Sequence, residues 1–190
     1  MVAVTSNMLA LGTPAPAFAL ADPDGVTHSF PRADDRPWVV MFICNHCPFV
    51  KLVADELAAV SRDYQGRADF VAINSNDTER YPQDGPDAMR QEAASRGYQF
   101  PYLLDASQEV AQAYMAACTP DFFVFDSADR LAYRGQLDDS RPGNGVPPSG
   151  RDLRAALDAL LAGKSPSGNQ RPAMGCNIKW KPGNEPPYFR

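Results

Sequence analysis

Residues 42–51 read FICNHCPFVK, with Cys44 and Cys47 in C-x-x-C spacing, His46 between them and Pro48 directly after. Upstream, PWVVMFI (residues 37–43) is a continuous apolar run, the pattern of a strand buried on both faces. Downstream, FVKLVADELAAVSRDY (residues 49–64) sets Val50, Val53, Ala54, Leu57 and Val60 at helical spacing, with Lys51, Asp55, Glu56 and Arg62 elsewhere on the wheel. The unit is strand, cysteine turn, helix. A cysteine at the first turn of a helix faces unpaired backbone N–H groups and the positive end of the dipole, which favour thiolate over thiol. Cys47 directly precedes the helical pattern while Cys44 sits at the strand end, so Cys47 is the expected nucleophile.

Working outward, PAFALADPDGVTHSF (residues 16–30) alternates apolar and polar residues around the Asp24-Gly25 turn pair and predicts an N-terminal hairpin. ADFVAINSN (residues 68–76) reads as a second buried strand, and the polar segment 74–87, with Pro82, Gly85 and Pro86, as a loop. DAMRQEAASRG is a helix stopped by Gly97, and Ser107 is placed to cap a further helix in QEVAQAYMAA (residues 108–117). DFFVFDSADRLAYRGQL (residues 121–137) gives two strands joined by a turn at 126–130. SGRDLRAALDALLAG follows, with Ser149 and Asp152 in capping-box spacing and Gly163 ending the helix. The order hairpin, β, α, β, α, α, β, β, α predicts an α/β sandwich, parallel in its first part and antiparallel at one edge. Residues 163–190 are rich in Pro and Gly with no helical period, yet carry Cys176, Ile178, Trp180, Tyr188 and Phe189. So many sticky groups predict an extension packed along a domain formed by residues 1–162, rather than a free linker.

Composition bounds the functions that remain. The 190 residues are 44% hydrophobic and 22% charged, ordinary globular values, and the formal charge of −5 offers no basic footprint for nucleic acid or anionic lipid. No run reaches the ~18–20 apolar residues a membrane span needs, and the opening MVAVTSNMLALGTPAPAF does not have the pattern of a secretory signal. A cytoplasmic, reducing location is expected. There, four cysteines read as redox-active or metal-binding groups rather than as a structural disulfide framework.

The cysteine turn, together with LGTPAPAFALADPDG (residues 11–25), the stretch 99–139 containing ACTPDFFVF, and the last helix, resembles the thioredoxin-like fold. The closer similarity is to its peroxiredoxin-like branch, related to the alkyl hydroperoxide reductase/thiol-specific antioxidant family. The resemblance covers about residues 11–162 and implies a thioredoxin-like sandwich with a mixed sheet and flanking helices. It further implies that Thr119 and Pro120 form a cis-proline loop lying against the nucleophile. Against the W-C-G-P-C-K turn of thioredoxins, the first cysteine falls on Cys47 and the second on Val50, and the buried acid of that family falls on Met41. Against the P-x-x-x-T-x-x-C motif of peroxiredoxins, Cys44 holds the threonine position and Val40 the proline position.

Each candidate has a plainer reading beside its chemical one. Cys47 alone reads as a small buried hydrophobe at a helix start, and the turn makes it a nucleophile. Cys44 is either inert at the strand end or able to close a disulfide across the turn. Cys118 is either a neighbour of Pro120 or a further redox thiol, and Cys176 a packing residue or a resolving thiol delivered by the tail. His46 is a half-exposed loop residue, or an imidazole that stabilises thiolate and relays a proton. Lys51 is expected to face solvent, and Arg134 is the arginine to test for anion contact. Cys44, Cys47, Cys176 and His46 are also soft metal ligands, but adjacent ligands seldom reach one ion and no second C-x-x-C exists, so neither metal nor organic cofactor is expected.

The favoured function is thiol–disulfide exchange by Cys47, resolved by Cys44 or Cys176, on a protein disulfide, with electrons from a thioredoxin or glutathione system. The resemblance adds substrate alignment by backbone beside Pro120 as an added strand. The alternatives are a peroxiredoxin-like peroxidase passing through a sulfenic acid, and a non-catalytic thiol- or metal-binding module. No nucleic-acid or membrane partner is expected, and the sequence is silent on oligomeric state.

Overall fold

The computed structural model describes residues 3–189. Its strands and helices are β1 (Ala3–Thr5), β2 (Phe18–Ala21), β3 (Thr27–Phe30), β4 (Trp38–Phe42), α1 (Pro48–Asp63) and β5 (Asp69–Asn74), followed, after a 3-10 turn at Pro82–Asp84, by α2 (Pro86–Arg96) and β6 (Tyr102–Leu104). Then come α3 (Glu109–Ala113), β7 (Cys118–Thr119), β8 (Asp121–Phe125), β9 (Leu131–Gly135), α4 (Arg151–Leu161) and β10 (Met174–Asn177).

A five-stranded sheet in the order β6-β5-β4-β8-β9 forms the centre, with β4, β5 and β6 parallel and β8 and β9 antiparallel. β4 explains the position of the cysteine turn. Its Val39 and Met41 enter the core layer shared with Leu57 of α1 and Leu157 of α4, while Trp38, Val40 and Phe42 enter the opposite layer with Tyr114 and Phe123. A strand apolar on both faces can sit only in the middle of a covered sheet. Its C-terminal end therefore opens at the sheet edge where α1 begins, and the connecting residues 43–47 bring both cysteines there. No helix among the described residues is long and apolar enough to cross a membrane.

The hairpin β2–β3 forms where the Asp24-Gly25 pair placed it, with Gly25 at φ +83°. Four elements were not visible as strands in the sequence. β6 is only three residues and β7 two, and β1 and β10 join β7 in a small sheet of order β1-β10-β7. Residues after 163 thus belong to the architecture: Ile178 and Trp180 are buried in the second core layer and Cys176 in the first.

Two helix starts differ from expectation. The helix anticipated through residue 117 ends at Ala113, and Gln108, at φ +67°, stands before its first residue, although Ser107 Oγ still accepts the Glu109 N–H at 3.3 Å. At α4 the Ser149–Asp152 capping box does not form. The buried Asp138 carboxylate instead takes the N–H groups of Ser149 at 2.6 Å and Gly150 at 2.8 Å, and Asp152 is engaged by Gln136 and Arg151. The helix's own first N–H groups, those of Asp152 and Leu153, go to the Leu137 carbonyl at 3.1 and 3.3 Å, so backbone rather than a side chain closes this end.

If the tail is structural, Trp180→Ala will lower stability by about 3–5 kcal/mol, as for other buried aromatic truncations, and urea unfolding will remain a single transition. A change under ~1 kcal/mol would show that the tail only rests on the surface.

Candidate active site

Cys47 is the residue immediately before α1, with extended backbone (φ −70°, ψ 124°) and Pro48 as the first helical residue. Proline is suited to that position because its missing N–H would have no helical partner. The Cys47 side chain is fully buried, as is that of Cys44 at the end of β4. Its sulfur lies 3.1 Å from the Thr119 carbonyl oxygen, and the Cys44 sulfur lies 3.3 Å from the Thr119 hydroxyl. The Thr119–Pro120 peptide is cis. β10 approaches from the far side of β7, pairing Cys176 with Thr119 and Asn177 with Cys118.

Three thiols therefore converge. The Cys47 thiol is brought down to about 5, chiefly by a hydrogen bond from Cys44, against the cost of burial, with further bonds from the Cys176 thiol, the Val50 N–H and the Cys176 N–H. Two of these donors are backbone groups, one from the first turn of α1 and one from the tail strand. The Thr119 carbonyl favours the protonated form, but four donors outweigh one acceptor. Cys44 is held well above the ordinary thiol range by its bond to Cys47, by burial and by the nearby Asp84 carboxylate. Burial, and then the bond to Cys47, push Cys176 up to about 12. One sulfur is the anion and the other two are its donors.

Cys118 stands apart. Its thiol points at the Pro120 carbonyl, 3.5 Å away, and burial raises it well above the ordinary range. His46 is turned away from Cys47 as well. Its Nδ1 is 2.5 Å from Asp84 Oδ2, and its ring stacks on Tyr81 at 5.5 Å with planes 7° apart. Asp84 is fully buried and also accepts from the backbone N–H groups of Asn45 and His46 and from Asn76 Nδ2. Despite burial, those bonds, led by His46, hold its carboxyl below the ordinary range. Asp84 thus fixes the shape of the cysteine turn from the 3-10 segment that the sequence showed only as loop.

Cys44, His46 and Asp84 bring a sulfur, a ring nitrogen and a carboxylate oxygen within 4.8 Å of one another. This set differs from the four soft ligands singled out in the sequence, and the Asp84 oxygens in it are already taken by four donors. Lys51 is exposed. Arg134 lies on β9 and bonds Gln170 Oε1 at 2.9 Å, so it is not a group of this site. The arginine beside the cis loop is Arg141, on the rim of a cleft of about 20 Å³ with Phe49, Pro120 and Met174. A cavity of about 400 Å³ is lined by residues including Val4, Ala117, Asn177 and Tyr188, and none of the four cysteines borders it. Asp121, directly after Pro120, was not anticipated either. It is completely buried, and burial lifts its carboxyl well above the ordinary range.

Residues 11–134 match the model of the AhpC/TSA family. The chain belongs to that family. A structure of an uncharacterized conserved protein from Geobacillus kaustophilus is 55% identical with a TM-score of 0.93, covering 96% of this chain and 98% of that one. A hypothetical protein from Sinorhizobium meliloti is 49% identical with a TM-score of 0.92, covering 94% and 99%. A thiol:disulfide interchange protein of the thioredoxin family from Chlorobium tepidum is 19% identical with a TM-score of 0.62, covering 80% and 98%. That last likeness is one of fold, and the fold is thioredoxin-like. No curated protein matches the chain. The AhpC/TSA match ends 42 residues before Cys176, so the third thiol lies outside the matched region, whereas the likeness to the Geobacillus protein spans nearly the whole chain.

Two titrations of opposite sign follow. Alkylation of Cys47 by iodoacetamide should reach half its maximal rate near pH 5, and Cys44→Ala should move that midpoint up toward the ordinary ~8.5. Because the folded state lowers Cys47, its contribution to stability is complete above ~8.5 and is lost as pH falls toward 5. Cys176, raised, acts in reverse: its contribution is complete below ~8.5 and is lost as pH rises toward 12. Urea unfolding of reduced wild type against Cys47→Ser across pH isolates the first contribution, and a pH-independent difference would contradict it.

Proposed function

We propose that this AhpC/TSA-family protein is a thiol–disulfide oxidoreductase whose nucleophile is the Cys47 thiolate. The supporting observation is the low titration of Cys47 between two thiols, Cys44 and Cys176, that hydrogen-bond to it and stay protonated. The thiolate attacks one sulfur of a disulfide, the S–S bond breaks, and one substrate thiolate leaves. A neighbouring cysteine gives up its proton, attacks the Cys47 sulfur of the mixed disulfide and expels the second substrate thiolate. The protein ends with one internal disulfide, and a thioredoxin dithiol or two glutathione thiols restore it. Thr119 and Pro120 position the sulfur, while His46 and Asp84 shape the turn.

Membership of the AhpC/TSA family favours a second reading, reduction of a hydroperoxide through a Cys47 sulfenic acid. Against it, Cys44 occupies the place of the peroxide-orienting threonine. The Thr119 hydroxyl lies against the Cys44 sulfur rather than toward open space.

Rapid mixing of reduced protein with a model disulfide and, separately, with hydrogen peroxide distinguishes the two. Disulfide exchange should be the faster reaction, and Cys47→Ser should slow it roughly 10³-fold or more, since nucleophile losses in covalent enzymes run to ~10⁶. Faster oxidation by peroxide, with a trappable sulfenic acid, would establish the second reading instead. A Cys47 inert to both reagents would leave only a binding role.

A further inference from the structure

A chain that presents its disulfide to Cys47 by adding a strand has one place to lie. The Cys47 sulfur is 3.1 Å from the Thr119 carbonyl, so that chain would have to pair with β7. The place is taken. β10 pairs with β7 through Cys176 and Thr119, Ile178 N–H donates to the Ala117 carbonyl at 3.2 Å, and β1 covers the other edge of β10. The outer edge of β1 lies two strand spacings or about 10 Å from β7, too far for a sulfur on an added strand to reach Cys47.

The close fit is built in at Gly175. A Cβ there would overlap the Thr119 carbonyl oxygen and come within 3.0 Å of the Pro120 nitrogen, so a glycine lets the tail backbone touch the cis loop. Ile178 and Trp180, just beyond β10, are buried in the core and anchor the strand. The tail also reaches the reacting atom itself, since both the thiol and the backbone N–H of Cys176 donate to the Cys47 sulfur.

We propose, resting on the oxidoreductase reading, that β10 fills the place of a substrate strand, so that Cys47 acts on low-molecular-weight disulfides rather than protein disulfides, with Cys176 as the resolving thiol. A small disulfide needs no backbone partner, so the β10–β7 pairing can stay intact while it reaches Cys47. A protein chain needs the whole tail strand removed. Electrostatics separates the two possible resolvers: the Cys44 sulfur lies within 4.8 Å of an Asp84 carboxylate oxygen, which opposes its ionisation, whereas the Lys179 ammonium, held on the Asn177 carbonyl next to Cys176, assists that of Cys176. In the cycle, Cys47 thiolate displaces the first substrate thiolate, which takes the Cys176 proton. The Cys176 thiolate then bonds the Cys47 sulfur and releases the second. Two electrons pass from the protein dithiol to the small disulfide.

The experiment is single-turnover oxidation of pre-reduced, full-length protein by glutathione disulfide and by insulin, with acid quench, alkylation and peptide mass spectrometry. The expected result is a second-order rate constant at least roughly 100-fold larger for glutathione disulfide, the scale set by misplacing reacting atoms by about an ångström, and a Cys47–Cys176 product. Gly175→Ala, if circular dichroism shows it folded, should raise the insulin rate at least roughly tenfold; if it is unfolded, the wild-type comparison decides alone. Equal rates with the two disulfides, or a Cys44–Cys47 product, would overturn the proposal while leaving thiol–disulfide exchange standing. No reaction with either disulfide would overturn both.

Discussion

The Cys47 sulfur is where three backbones meet, and the rest of the site depends on that convergence. α1 supplies the Val50 N–H, β10 the Cys176 N–H, and β7 the Thr119 carbonyl. None of these groups is a charged side chain, and the sulfur is fully buried. In a buried position only fixed dipoles and hydrogen bonds can offset the lost hydration of an anion. A small displacement of any of the three elements would therefore change the thiolate more than the loss of a distant surface charge would.

Charged groups around the trio act on its flanks rather than its centre. The layer beneath the turn is apolar: Met41, on β4, lies in the same core cluster as Cys44, Cys47 and Cys176, where a proton-accepting acid could have been. The nearest buried anion, Asp84, is committed to His46, Asn76 and two backbone N–H groups, and it bears on Cys44. Burial holds the carboxyl after the cis loop, Asp121, well above its ordinary range and so disfavours its charged form. On the proposed exchange mechanism, protons pass among the thiols themselves and the substrate sulfur that leaves.

The central fold was legible because its signals are local. The apolar run of β4, the period of α1, the Asp24-Gly25 turn and the αL glycine at 97 each declare themselves within a dozen residues. What was hidden depends on contacts far apart in sequence. β1 meets β10 across 170 residues or so, as in the pairing of Ala3 with Cys176, and four-residue strands in a Pro- and Gly-rich tail carry no periodicity to read. Ser149 has the right spacing for a cap, but the Leu137 carbonyl, from another segment, takes the first N–H groups of the helix instead. The same holds at the site. Cys47 and the Thr119–Pro120 loop were visible from spacing and resemblance, and Cys176 only as a tail residue with chemistry. Asp84 gave no local sign, because an acid in a polar loop looks solvated until tertiary structure buries it.

The two possible internal disulfides differ in what they do to the chain. A Cys44–Cys47 bond would close a loop of the turn alone, whereas a Cys47–Cys176 bond would join residues 129 positions apart in the sequence. Loop-closure entropy makes the long link far more restrictive on the unfolded chain, by an amount that on the chain-entropy model exceeds ~4 kcal/mol for loops beyond ~100 residues. The reduced fold already holds both residues in one core cluster. A disulfide that stabilises its own fold is hard to reduce, and its dithiol is correspondingly a strong reductant. On the proposed pairing, therefore, packing the tail into the core does two things at once: it closes the strand edge beside Cys47 and biases the dithiol toward giving its electrons away.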